Sequence, residues 1–366
     1  MRDGNGPKIL TPDQEAAMGS ERQPAATSGQ PTLPLTAEST IAESTMAAIV
    51  QDGYGSADVL HLEQIPRPQI GGREVLLRVH AAGLDRGQWH LMTGQPYLLR
   101  LVAGLRRPRN AVMGLDVAGT VIAAGPGVTR FSVGDEVFGF GRGTFAEYAA
   151  AREDKLARKP TAASFEQAAV VPVSAVTALM AVTDAGHVQP GQKVLITGAS
   201  GGVGSYAVQL AAAFGAEVTA VCSTAKTGLV RSLGATRVID YTKDDFADDA
   251  GRYDLIIDIA GNPALSRLRR ALTPGGTAVI TGGEDGGNLT GMGRQLRALA
   301  LSPFLRQRLT MVAPRQRSSD LDRLAALIEA GTVTPSIDRT YALGQVPEAM
   351  RYLEAGKARG KVAITI

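Results

Sequence analysis

The chain has 366 residues, of which 44% are hydrophobic and 20% charged, and a formal net charge of +3. That length allows two domains of ordinary size, the composition excludes a wholly disordered chain, and so small a charge demands no nucleic-acid partner. The single cysteine, Cys222, excludes an intramolecular disulfide and a cysteine-rich zinc site, and no apolar run is long enough to span a bilayer.

Residues 1–45 are rich in Ser, Thr, Pro, Ala, Gln and Glu, and hold three basic residues (Arg2, Lys8 and Arg22) against six acidic ones. This composition predicts a disordered tail. It has no signal-peptide apolar region, and its acidic residues argue against a mitochondrial transit peptide, so a cytoplasmic location is expected. Met46 opens the first good strand, 46–51, and is a candidate start codon.

From 46 to about 165 the pattern is all-β. Strands are predicted at 59–65, 74–82, 117–124, 135–138 and 144–149, punctuated by Pro66, Pro68, Gly71-Gly72 and Gly125-Pro126-Gly127. From 166 to 334 strands and helices alternate. Strands are predicted at 193–197, 217–221, 237–240, 254–259 and 277–281, and helices at 202–214, 226–233, 263–272 and 319–330. That alternation predicts a doubly wound parallel sheet. A strand at 340–343, a helix at 346–354 and a strand at 361–366 follow, and they are expected to rejoin the first domain. The fold class is therefore α/β: a discontinuous β domain of 46–165 and 335–366, and a doubly wound domain of 166–334.

The most informative stretch runs from Lys193 to Gly215. Val194, Leu195 and Ile196 suit a buried parallel strand. Gly198-Ala-Ser-Gly-Gly-Val-Gly204 follows, and then Ala207, Val208, Leu210, Ala211 and Phe214 recur at helical spacing. Strand, glycine turn and helix form the context of a dinucleotide-binding fingerprint, here A-x-G-x-x-G. Gly201 would let the backbone approach a pyrophosphate, Gly204 would let the helix pack on the strand, and the helix N-terminus would supply amides for the phosphates. An NAD site wants an acidic residue about 20 positions further on, to hold the ribose 2′-hydroxyl. Cys222-Ser-Thr-Ala-Lys226 stands there instead. Hydroxyls and an ammonium suit a 2′-phosphate, so NADPH is expected over NADH; the other reading of Lys226 is a solvated residue at a helix start.

Further motifs agree with this one. Val133-Gly-Asp-Glu-Val-Phe-Gly139, Thr177, Thr197-Gly-Ala-Ser-Gly-Gly-Val-Gly204, Val238-Ile-Asp-Tyr241, Asp258-Ile-Ala-Gly261, Gly275-Gly276 and Ala358-Arg-Gly-Lys361 run in order across 46–366. Together they resemble the medium-chain dehydrogenase/reductase superfamily in its zinc-independent quinone-oxidoreductase branch. The resemblance implies a GroES-like substrate domain against a Rossmann domain, with NADPH between them and a possible homodimer. It implies that Ser200, Gly202 and Val203 bind the pyrophosphate, that Ser223, Lys226 and Tyr241 hold the 2′-phosphate end, and that Thr177 meets the nicotinamide amide. Gly360 and Lys361 would touch the cofactor from the other domain.

The chain departs from zinc-dependent relatives. Gly83-Leu84-Asp85 lacks their cysteine, Gly114-Leu115-Asp116 replaces their Gly-His-Glu, and the cysteine-rich loop is absent. The histidines, His61, His80, His90 and His187, show no paired spacing, so no metal is expected. A quinone or an α,β-unsaturated carbonyl accepts hydride without a strong Lewis acid, needing only a donor for its developing oxyanion. The substrate segment is expected at 84–97. Tyr97 reads either as proton donor or as packing aromatic. Asp85 replaces an asparagine common in relatives, His90 reads as a surface residue before a catalytic acid, and Trp89 as core. Two stretches look like insertions: 100–109, basic and apolar, and 288–319, with six arginines and no acidic residue. Each suits a lid or a membrane-facing surface, or else a face docked on a neighbour with its arginines solvated. Stable membrane insertion and nucleic-acid binding are not expected. The alternatives to a quinone or enone reductase are a zinc-independent alcohol or aldehyde dehydrogenase and a silent NADPH-binding regulatory protein.

Overall fold

The computed structural model describes residues 45–282, 291–313 and 315–366, which share one compact unit. The predicted tail therefore lies outside the described residues, apart from Thr45. In chain order the strands are β1 (Thr45–Gln51), β2 (Leu60–Pro66), β3 (Glu74–Leu84), β4 (Asp116–Ala124), β5 (Glu136–Phe140), β6 (Tyr148–Arg152), β7 (Leu156–Arg158), β8 (Lys193–Thr197), β9 (Glu217–Cys222), β10 (Arg237–Asp240), β11 (Tyr253–Asp258), β12 (Leu272–Ile280), β13 (Arg308–Met311), β14 (Ile337–Ala342) and β15 (Lys361–Thr365). The helices are α1 (Arg86–Thr93), α2 (Arg100–Ala103), α3 (Phe165–Ala169), α4 (Pro172–Met180), α5 (Gly202–Ala213), α6 (Thr227–Ser232), α7 (Leu265–Ala271), α8 (Gly293–Leu301), α9 (Ser318–Glu329) and α10 (Val346–Glu354).

Six strands form a parallel sheet in the order β10-β9-β8-β11-β12-β13. This is the doubly wound order, and its switch point falls between β8 and β11, where a crevice opens beyond the strand ends. Val194, Leu195 and Ile196 are fully buried, as a strand covered on both faces requires. The other large sheet runs β14-β15-β3-β4-β5-β7, with β6 on β3, and it is the GroES-like half. β15 pairs antiparallel with β3, Val362 facing Leu84, so the last strands complete a sheet begun early in the chain.

Two expectations are corrected here, and one helix was not foreseen. Residues 288–319 are not an added insertion: α8 and β13 lie within them, and β13 is the sixth strand of the parallel sheet. The strand expected at 144–149 is β6, Tyr148–Arg152, displaced because Gly143 takes a left-handed φ of 65° and Phe145 is drawn into bridges with Ile49 and Met113. The helix α4, buried at all but Val173 and Thr177 and so without an apolar-polar alternation, gave no helical signal of its own.

Candidate active site

The fingerprint turn closes tightly on itself. Gly198 sits at φ 63°, and its carbonyl accepts from Gly201 N–H at 3.0 Å. A Cβ at Gly204 would lie 2.2 Å from that carbonyl, so only glycine lets α5 cross β8 this closely. The N-cap of α5 is Gly201, with no side-chain cap, which leaves the first-turn amides open to the crevice at the switch point.

A segment of the other sheet lies across this helix start. Gly360 N–H donates to the Ser200 carbonyl at 2.8 Å. Gly360 has φ 89°, and a Cβ there would meet the Ser336 carbonyl at 2.4 Å. Lys361 is buried, and its Nζ donates to Ser174 Oγ at 3.0 Å. Its Cδ would be 3.1 Å from a Cβ on Gly202. The structure therefore brings Ser200, Gly201, Gly202, Gly360 and Lys361 together, with Val203 next along α5. Thr177 is one turn along α4 from Val173, whose carbonyl accepts its hydroxyl at 2.7 Å.

Under Lys361 lies a charge cluster whose role the motif reading missed. Asp116, at the start of β4, is fully buried and accepts the Val173 N–H with both oxygens, at 3.1 and 3.2 Å. α4 has Pro172 in its first turn and no capping side chain of its own, so Asp116 caps it from another strand. Burial pushes the Asp116 carboxyl well above the usual range, and the neighbouring Asp85 adds to that. The Lys361 ammonium and the Val173 N–H oppose both. One signal in the sequence could have found Asp116: an acid opening an otherwise apolar strand.

Asp85 is the N-cap of α1, accepting from Gly87 N–H at 2.7 Å and Gln88 N–H at 3.3 Å through Oδ1. Its Oδ2 is buried with no hydrogen-bond partner. Tyr97 stands half-exposed on a short 3₁₀ turn, stacked against Arg100 at 4.9 Å. Arg100 also lies over Tyr54 at 4.4 Å and donates through Nε to the Gly94 carbonyl at 2.9 Å. His90 Nδ1 donates to the Gln95 carbonyl at 2.8 Å, and Trp89 reaches out to Glu354 at 3.2 Å while its ring packs on the barrel core.

At the ends of β9 and β10 the 2′-phosphate candidates are close but differently engaged. Lys226 Nζ donates to the Gly356 and Ala358 carbonyls, at 3.1 and 2.8 Å. It thus ties the end of β9 to the loop that leads to Gly360. Tyr241 is exposed, with its N–H on the Cys222 carbonyl at 3.2 Å, and the Ser223 carbonyl accepts from Lys226 N–H at 2.9 Å. Asp240, missed as a neighbour, pairs with Cys222 in register. Hydrogen bonds from the Thr224 and Thr242 hydroxyls hold its carboxyl down to about 2. Across the crevice, Asp258 at the end of β11 accepts from Thr197 Oγ1 at 2.8 Å and pairs with Arg294 of α8. Asp258 is buried and the Arg294 side chain is 15% exposed, so this arginine is engaged by the carboxylate rather than free in solvent.

The residues present suit a dinucleotide better than a metal. Uncapped amides, a crowded glycine turn and a buried ammonium meet at one helix start. Among the described residues no three His, Cys, Asp or Glu side chains are grouped as a metal would need.

Comparison with known proteins places this architecture. Residues 71–161 match the alcohol dehydrogenase GroES-like domain, and residues 233–364 match the zinc-binding dehydrogenase family. The chain is 33% identical to the mitochondrial NAD(P)H oxidoreductase RTN4IP1 of Mus musculus, over 89% of this chain and 91% of that one. It is 34% identical to the 2-methylene-furan-3-one reductase of Solanum lycopersicum, over 88% and 79%. Among solved structures, the quinone oxidoreductase from Coxiella burnetii superposes with a TM-score of 0.78 at 28% identity, over 88% and 99%. Mycobacterial Rv1454c, complexed with NADPH, gives 0.74 at 26% identity, over 88% and 100%. A GroES-like half joined to a Rossmann-like half defines a nucleotide-dependent oxidoreductase architecture. The chain belongs to the medium-chain dehydrogenase/reductase superfamily, as a quinone-oxidoreductase-like member.

Proposed function

We propose that the protein is an NADPH-dependent oxidoreductase that passes hydride to a quinone or an α,β-unsaturated carbonyl without a metal. The observation that carries this reading is the open N-terminus of α5, covered by Gly360 and Lys361 at the switch point of the parallel sheet. Two relatives named for NAD(P)H and enone chemistry, and a neighbour solved with NADPH, support it. Bound NADPH would supply the hydride. Ser200, Gly201, Gly202 and Val203 present amides to the pyrophosphate, and Lys361 holds that turn against Ser174. Ser223, Lys226 and Tyr241 line the 2′-phosphate end, and Thr177 orients the nicotinamide amide. Tyr97 is the proposed proton donor or oxyanion partner, and Asp85 the polar group of the substrate segment. In the same proposal the substrate domain comprises 46–165 and 335–366, the cofactor domain comprises 166–334, and the enzyme resides in the cytoplasm.

The test is NADPH and NADH consumption with a panel of quinones, enones and aldehydes. Turnover of a quinone or enone, with a lower KM for NADPH than for NADH, is expected. Equal KM values would sink the cofactor choice, and turnover of aldehydes alone would replace the substrate class. Tight NADPH binding with no turnover would favour a regulatory protein. Stoichiometric zinc in the purified enzyme would overturn the metal-free part.

A further inference from the structure

The helix α8 is turned inside out. Its buried positions are Gln295 and Ala298. Its large apolar side chains face solvent: Met292, Leu296 and Leu299 recur at helical spacing along one exposed stripe, and Leu296 is 55% exposed. The stripe runs on to Phe304, 85% exposed. The core makes no use of it, since α8 is held instead by Arg294 on Asp258 and by Gln295 Nε2 on the Gly282 carbonyl at 3.1 Å. Monomers rarely leave so many large apolar side chains together in water unless they meet something.

A second exposed apolar segment begins beside it. A Cβ on Gly291 would lie 2.8 Å from Pro96 Cγ, so the chain entering α8 touches the chain entering 97–109. There Leu101, Val102 and Leu105 are each more than half exposed. Both segments are basic. Residues 86–115 and 291–317 contain no acidic residue, and Arg106, Arg107, Arg109, Arg297 and Arg306 stand among the apolar ones. None of these five arginines makes an ion pair among the described residues. Exposed Leu and Phe flanked by uncompensated arginines fit an interface that is apolar at its centre and anionic at its rim. Two copies of this face would bring arginine against arginine, which opposes self-association there. No described helix is long and apolar enough to cross a membrane, so contact would be with the surface only.

We propose that the exposed stripe of α8 and the neighbouring segment 101–109 dock the enzyme on an anionic lipid surface. This stands independently of the substrate, because it rests on side chains outside the cofactor crevice. Co-sedimentation of the full chain with phosphatidylcholine vesicles, with and without phosphatidylglycerol, tests it. Binding to the phosphatidylglycerol vesicles at low salt is expected, with loss on pure phosphatidylcholine or at high salt. The pairs Leu296→Ser with Phe304→Ser, and Arg106→Gln with Arg107→Gln, should each weaken partitioning about tenfold or more while NADPH binding is kept. No binding of the unmodified protein to anionic vesicles overturns the proposal. So does binding that both variant pairs leave unchanged. A dimer that the Leu296 and Phe304 changes dissociate would assign the stripe to a second copy instead.

Discussion

At Gly204 a single added methyl would meet the Gly198 carbonyl at 2.2 Å, and that carbonyl is backbone with nowhere to go. Gly204→Ala should therefore lower stability by about 1–3 kcal/mol, seen as a lower denaturation midpoint with an unchanged m-value. Lys361 acts through charge. Its ammonium opposes the burial that raises the Asp116 carboxyl, so Lys361→Met raises that carboxyl further. A carboxyl raised on folding binds its proton more tightly in the native state, and stability falls as pH climbs from the unfolded value of about 4 to the folded one. Lys361→Met should therefore go on losing stability to a higher pH than the parent, and its NADPH affinity should drop. A pH profile that coincides with the parent's would remove the coupling. Asp240 has the opposite sign. Its carboxyl is held down to about 2, so its contribution is intact above pH about 4 and lost as pH falls toward 2. Asp240→Asn should flatten that acid limb in thermal unfolding scans.

Among the elements, α8 is fastened by the Arg294–Asp258 ion pair, by Gln295 and by the buried Ala298. Removing its arginine leaves Asp258 buried with only the Thr197 hydroxyl. Arg294→Met should cost about 3–5 kcal/mol, or less where Asp258 takes up a proton, and should loosen α8 first in hydrogen exchange. The elements around it differ in how far their residues announce them. The strands β8, β9 and β10 and the helix α5 were legible because apolar runs, a glycine turn and a helical period lie in sequence. The tight turn from Gly198 to Gly204 was legible for the same reason, being written within a few consecutive residues. β13 was not, because Arg308–Met311 is short and sits in an arginine-rich stretch that conceals its buried Leu309. α4 was not, because its cap comes from Asp116 on a distant strand. For Lys226, an ammonium just past the end of β9 could be read, while its carbonyl partners 130 and 132 positions away could not.

At the scale of the molecule, the two sheets are stitched along one line. Lys226 reaches the loop at 356–358, Gly360 reaches Ser200, Lys361 reaches Ser174, and β15 then joins β3. Removing residues 361–366 would unpair an interior edge of the barrel sheet and take away Lys361 together. Such a truncation should aggregate or lose NADPH binding outright, whereas a local change such as Tyr97→Phe should alter only turnover. Unchanged kcat/KM in Tyr97→Phe would remove that tyrosine from the chemistry.

The late return of β15 also orders events on the ribosome. β3 is made early, yet its partner β15 emerges only after every strand of the parallel sheet. The parallel sheet can form while the barrel is still open, so the nascent chain carries a bare strand edge until β15 emerges. The half proposed to bind nucleotide is then available first, and a nucleotide seated there would offer α5 and its glycine turn as a finished surface on which Gly360 and Lys361 can land.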